Sequence, residues 1–331
     1  APAARMRQRP VDARARVEAY RQLCESGDAS ALRDGTRKAL RDSNYLLVAR
    51  AAELCAERLI YDLEADLIAA YGRFLDKAPK KDPHCTAKGA IARALVALDC
   101  QDVDFYLAGV RYRQPEPVWG GAIDTAVDLR TSCAMGLSAT AYPRALIELV
   151  SLLHDPEPHA RAGAARAIAC TEPLAAEAVL RAKALSGDPE PDVIGECLTG
   201  VLQLAPEDSP EFVAGFLDGP GPAVRELAAL ALGGSRLDGA LVLLRERWES
   251  QPLKRDADRV LLRAAALHRS DPAFDWLLSL ISNGDRTSAE LVVRELAAYH
   301  SNTRLRERVA KAIATRGDED LVACFGEAWR S

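Results

Sequence analysis

Four side chains able to bind a metal or move a proton crowd one short stretch: His154, Asp155, Glu157 and His159. Imidazoles and carboxylates together can hold zinc or iron. Asp155 is followed by proline, however, and Asp-Pro is a helix start. The carboxylate can accept from an orphan amide of the first turn, and proline gives up an amide that had no partner. Pro156 and Pro158 also stiffen the turn along a route not shaped for chelation. No metal or cofactor is therefore expected.

Other chemistry is as thin. The eight cysteines, Cys24, Cys55, Cys85, Cys100, Cys133, Cys170, Cys197 and Cys324, form no CxxC pair. Several lie among alanines, where a thiol behaves as a small apolar group, and reduced buried thiols are the expectation. There is no GxSxG, HExxH, Walker loop or dinucleotide fingerprint. Gly219-Pro220-Gly221-Pro222 imitates a phosphate loop, but its prolines remove the amides that a phosphate cradle needs. The reading leans to a non-catalytic protein. A site assembled from distant segments stays open, because one sequence gives no contacts.

The element that carries Asp155 repeats. Asp155-Pro156-Glu157-Pro158 returns letter for letter as Asp188-Pro189-Glu190-Pro191, 33 residues later, and Gly219-Pro220-Gly221-Pro222 follows 31 residues after that. A fixed period of this size marks a repeat architecture. A basic residue stands six places after several of these corners: Lys88 after Asp82, Arg130 after Asp124, Arg161 after Asp155, Arg225 after Gly219 and Arg50 after Asn44. The second DPEP copy breaks the rule with Ile194. Behind the basic residue runs a small-residue helix, such as Ala162, Gly163, Ala164, Ala165, Ala167 and Ile168. Small side chains let helices approach closely and favour helix at little entropic cost. A more apolar helix precedes each, for example around Leu146, Ile147, Leu149 and Leu152, or around Leu241 and Trp248 before the one near Asp256. One such pair cannot bury its apolar stripe alone, whereas a stack can.

Asp-Pro, then a basic residue, then an Ala-rich helix resembles the HEAT repeat, and most closely the short HEAT-like repeats of the phycobilin lyase family. The resemblance spans nearly the whole chain. It implies an all-α, right-handed solenoid of about nine antiparallel helix pairs, organised as one domain over residues 1–331. The expected pairs are 28–59, 62–98, 101–138, 141–170, 172–205, 208–234, 236–268, 271–299 and 302–330. Residues 11–26 are a lead-in helix, 302–330 a C-terminal capping pair, and 1–10 a disordered arm or expression remnant ahead of Met6. Asp82, Asp124, Asp155 and Asp188 are the structural caps of their repeats.

The resemblance says little about activity, because HEAT arrays also serve as scaffolds, lyases, glycosylases and hydroxylases. Deoxyhypusine hydroxylase uses repeated His-Glu dipeptides, and none of the five histidines here precedes a glutamate. The alkylpurine glycosylases use a basic, aromatic-bearing face. Here net charge is −5, and the small-residue helices alternate in sign, from Lys88 and Arg93 to Glu190, Asp192 and Glu196. A groove that follows phosphates stays positive along its length, so nucleic acid is not an expected partner. No stretch approaches a membrane span of roughly 18 apolar residues. The start lacks a signal peptide's apolar core, and a cytoplasmic location is expected. The basic run at Arg7, Arg9, Arg14, Arg16 and Arg21 reads as a solvated helix face.

One connection stands apart. Residues 111–121 hold Arg111, Tyr112, Arg113 and Trp119 among prolines and glycines. An insertion in one repeat tends to mark a binding face, and Tyr, Trp and Arg are enriched in interface hot spots. Two readings remain: a docking loop, or a loop whose Trp119 packs back onto the core. The expected function is a non-catalytic scaffold holding another protein on the concave face of the solenoid and the 111–121 loop, with Arg111, Tyr112, Arg113, Trp119, Arg161 and Arg225 as candidate contacts. The alternative implied by the resemblance is a lyase-like chain handling a tetrapyrrole.

Overall fold

The computed structural model describes residues 13–25, 29–219, 221–251 and 259–330. The leading residues 1–10, with Arg7 and Arg9, and Asp256 fall outside these, as does the side chain of Arg14. The described chain is helical apart from one small ribbon. It divides into two compact units, residues Ala1–Thr171 and Glu172–Ser331.

The first unit opens with α1 (Ala13–Glu25) and continues as helix pairs. These are α2 (Ala29–Leu40) with α3 (Tyr45–Arg58), and α4 (Glu64–Arg73) with the one-turn α5 (Ala78–Lys81) and α6 (Thr86–Ala97). Then come α7 (Val103–Arg111) with α8 (Val127–Ala139), and α9 (Ala145–Leu152) with α10 (Pro158–Ile168). The second unit pairs α11 (Pro173–Ser186) with α12 (Pro191–Leu204), α13 (Pro210–Ala214) with α14 (Pro222–Ser235), and α15 (Asp238–Glu249) with α16 (Arg259–His268). It ends with α17 (Asp271–Asn283) and α18 (Arg286–Leu296), then α19 (Thr303–Arg316) and α20 (Glu319–Ala328). Among the described residues these make nine pairs, the number expected, and the all-α repeat build stands.

In the middle pairs the first helix buries a single stripe and the second is more extensively buried, as α9 and α10 show. In α9, Ala145, Leu149 and Leu152 are buried while Ile147 is exposed. In α10, every residue from Ala162 to Ile168 except Arg166 is buried. Apolar spacing of three and four residues produces the stripe; an almost continuous run of small residues produces the buried helix. Glycines sit where helices cross closely. A Cβ built on Gly163 would stand 2.5 Å from Thr131 Cγ2, and one on Gly136 would stand 2.1 Å from the Tyr106 ring. Only a hydrogen fits there.

Where the DPEP corners start their helices differs from the sequence reading. The helices begin at the second proline, Pro158 and Pro191, not the first. Asp155 accepts from the Glu157 amide at 2.8 Å and Asp188 from the Glu190 amide at 2.9 Å. Each carboxylate closes a turn one step before the helix and leaves the proline to open it. Asp82 stands further from its helix, with Cys85 at the N-cap position, yet accepts from the first-turn amides of Ala87 and Lys88 at 2.7 and 3.1 Å.

Cys55, Cys85, Cys100, Cys133, Cys197 and Cys324 are buried, Cys24 is half-buried and Cys170 is exposed. Burial pushes the thiols of Cys55, Cys85 and Cys197 up to about 12 and that of Cys100 up to about 11. The native chain is therefore expected to react with a thiol reagent first at Cys170 and then at Cys24, with the buried six reacting only on unfolding. Mapping of labelled peptides checks this, and labelling of Cys133 as fast as Cys170 would contradict the packing.

Candidate functional site

The insertion between α7 and α8 is a β-hairpin, where the sequence showed no usable alternation. Strand β1 (Pro115–Val118) pairs antiparallel with β2 (Gly121–Asp124). Four residues per strand are too few for a period-2 pattern to register. The legible signal was Gly120-Gly121 between two short β-compatible runs. Gly120 takes φ 88°, which lets the two-residue turn close without strain.

The hairpin is fixed at its base by a polar lock. Gln114 donates its backbone amide to Asp124 Oδ1 at 3.0 Å, and its side-chain amide to the Asp82 carbonyl at 2.9 Å and to Glu116 Oε1 at 2.8 Å. Glu116 Oε1 also accepts from the Thr125 hydroxyl at 2.8 Å and the His84 amide at 2.7 Å. His84 lies in the left-handed region, φ 58°, in the turn that brings this amide to Glu116. Burial alone would raise the Glu116 and Asp124 carboxyls, but these hydrogen bonds, with Arg130 beside Asp124, hold both below their ordinary range. Their stabilising contribution is therefore present above the ordinary carboxylate pKa and is lost as pH falls through the depressed values.

Beneath the lock lies a buried ion ladder. Lys88, fully buried, donates to Asp82 Oδ2 at 2.8 Å and stands 5.5 Å above the Tyr112 ring. Arg130, also fully buried, donates to Asp124 Oδ2 at 2.6 Å and to the Tyr112 carbonyl at 3.0 Å. Its Nε lies 3.0 Å from Asp155 Oδ2 in the next repeat. Arg113 Nη1 meets the same Asp155 oxygen at 2.5 Å. The six-residue offset thus gives two direct ion pairs. At Arg161 and Arg225 the guanidinium instead donates to the corner carbonyls of Asp155 and Gly219, at 2.9 and 3.1 Å. Arg50 pairs with Glu53 and Glu57 rather than with its corner. Where Ile194 breaks the rule, Lys183 reaches Asp188 at 2.8 Å from the preceding helix.

The candidate contacts separate by geometry. Tyr112 is half-buried, its hydroxyl donating to Gln114 Oε1 at 3.1 Å. Arg111 is exposed and ion-paired to Glu148 at 2.6 Å. Arg113, Arg161 and Arg225 hold corners. Trp119 stands at the hairpin tip with 102% exposure, so it does not fold back on the core. Trp248, Trp276 and Trp329 are all buried. Val118 and Ile123 are exposed beside Trp119, at 43% and 49%. At the His154–His159 turn, Asp155 is committed to arginines and His154 Nδ1 faces the Val150 carbonyl at 3.1 Å. Among the described residues no group of His, Cys, Asp and Glu side chains is placed to hold a metal ion, and no helix is long and apolar enough to cross a membrane.

No family model matches the chain, and no curated protein matches it. Solved structures share likeness with it. One is the complex of CpcE and CpcF of phycocyanin lyase from Nostoc, 18% identical over 70% of this chain and 89% of that chain, with a TM-score of 0.35. Another is an engineered protein, 15% identical over 96% of this chain and 99% of that chain, with a TM-score of 0.35. The repeat build rests on this chain's own helix pairs.

Proposed function

We propose that this chain is a non-catalytic protein-binding scaffold whose anchor is the hairpin of residues 115–124. The single observation that carries the reading is Trp119, fully exposed at the tip of a ribbon locked at its base. Exposing an indole to water forgoes roughly 2–3 kcal/mol of burial that the chain's other three tryptophans collect. A rigid aromatic of this kind gives large contact area at little entropic cost when a partner covers it. The lock and ladder beneath keep the hairpin from relaxing onto the core. The neighbouring arginines serve the repeat corners, so affinity concentrates in Trp119, Val118 and Ile123.

Trp119→Ala is expected to leave folding unchanged and to weaken capture of the partner by tenfold or more, about 1.4 kcal/mol at the least. Affinity capture from the native host with both forms as bait, followed by titration of the recovered partner, checks it. Equal recovery would sink the hairpin as anchor. A stoichiometric visible chromophore co-purifying with the chain would favour the tetrapyrrole-handling alternative instead.

A further inference from the structure

The two outer edges of the ribbon differ in chemistry. Pro115 faces Asp124, Glu116 faces Ile123, Pro117 faces Ala122 and Val118 faces Gly121. The Thr125 amide donates to the Gln114 carbonyl at 3.0 Å. In an antiparallel ladder bonded and non-bonded pairs alternate, so 116–123 and 118–121 bond inward while 115, 117, 122 and 124 turn their backbone groups outward. On β1 both outward positions are proline, so that edge has no amide to offer and is closed to another strand. On β2 the outward positions are Ala122 and Asp124. Gly121, Ala122 and Ile123 are all exposed. The Asp124 carboxylate is turned to Arg130 and the Gln114 amide, so no charge guards the edge at Ala122.

We infer that β2 pairs with β2 of a second copy of this chain, antiparallel about a two-fold axis at Ala122. This deepens the hairpin reading above and rests on it. In that register Ala122 exchanges both backbone bonds with its own symmetry mate, and Gly121 lies opposite Ile123 twice. A Cβ built on Gly121 meets nothing within 4 Å, so the space above it is open. Ile123 of the second copy fills that space and packs on Val118, which shares the face. Trp119 comes level with Thr125 at the base of the other hairpin. One operation thus covers all three exposed apolar side chains. No like charges are set opposite, since Gly120 faces Asp124. Each copy has one open ribbon edge and one closed by proline, so assembly through it stops at two.

The test is sedimentation velocity of the full chain across a concentration series, with Ala122→Pro as the main variant. The amide at 122 takes no part in the ribbon's own ladder, so proline closes the edge as Pro115 and Pro117 close the other. Ile123→Lys is the second variant, placing like charges on the paired face at an exposed position. The expected result is a reversible dimer that both variants weaken by about tenfold or more, with helical circular dichroism and melting unchanged. A chain monomeric throughout the series would overturn the pairing. So would variants that dimerise like the parent, or a monomer that takes another protein's strand at Ala122. A monomer whose partner capture still depends on Trp119 sinks the pairing alone. A dimer whose partner capture ignores Trp119 sinks the anchor reading alone.

Discussion

Asp155→Ala is expected to destabilise the first unit by about 3–5 kcal/mol, the cost of removing one member of a buried ion pair. The Asp155 side chain is wholly buried; Arg130 Nε stands 3.0 Å away as an ion-pair contact, and the carboxylate accepts from Arg130 Nη2 at 3.3 Å, Arg113 Nη1 at 2.5 Å and the Glu157 amide. Arg130 is itself fully buried and cannot turn to water. Without Asp155 it keeps Asp124 and the Tyr112 carbonyl on one nitrogen, and the rest of the guanidinium is left unpaired in an apolar layer. Denaturant melts read with hydrogen exchange over α8 and α10 measure it. The penalty at Asp155 should also survive high salt, because buried pairs are poorly screened. An Asp155→Ala chain as stable as the parent would mean that the ladder is not a determinant of the fold.

The ladder marks how far the sequence could be read. The offset from corner to basic residue is a local spacing, and at Lys88 and Arg130 an ion pair with the corner aspartate accompanies it. The link from Arg130 to Asp155 crosses a repeat boundary 25 residues wide and exists only because two pairs stack. No spacing rule reports a contact set by packing. The helix starts were misplaced for a local reason. In Asp-Pro-Glu-Pro either proline can open a helix, and the choice falls to which amide the aspartate accepts from. The hairpin escaped because its strands are shorter than the period that would reveal them. Glu116 escaped altogether: its partners, His84, Gln114 and Thr125, come from three separate places in the chain. Trp119 was picked out by residue type and by the unusual length of its loop. The sequence left two fates open for it, and the lock at its base is what separates them.

Gly233→Ala is expected to cost the second unit about 3 kcal/mol, at the upper end for overpacking by one methyl. A Cβ on Gly233 would lie 2.1 Å from the Ala264 carbonyl oxygen and 2.8 Å from its Cα. Those are backbone atoms of α16, and no rotamer change relieves the contact; α14 and α16 must separate. The neighbouring glycine gives the opposite sign. A Cβ on Gly234 meets Leu267 Cδ2 at 3.7 Å, an ordinary contact, so Gly234→Ala should be neutral or stabilising by up to about 1 kcal/mol through helix propensity. Gly195→Ala falls between, since the nearest atom is the movable end of Leu227 at 3.1 Å. The order 233, 195, 234 in denaturant midpoints is the measurable result. Helix propensity alone predicts a gain at all three positions, because alanine outranks glycine anywhere in a helix interior. A loss at 233 beside a gain at 234 can arise only if the second helices touch backbone to backbone. That contact is what the alanine-rich runs behind each corner residue make possible.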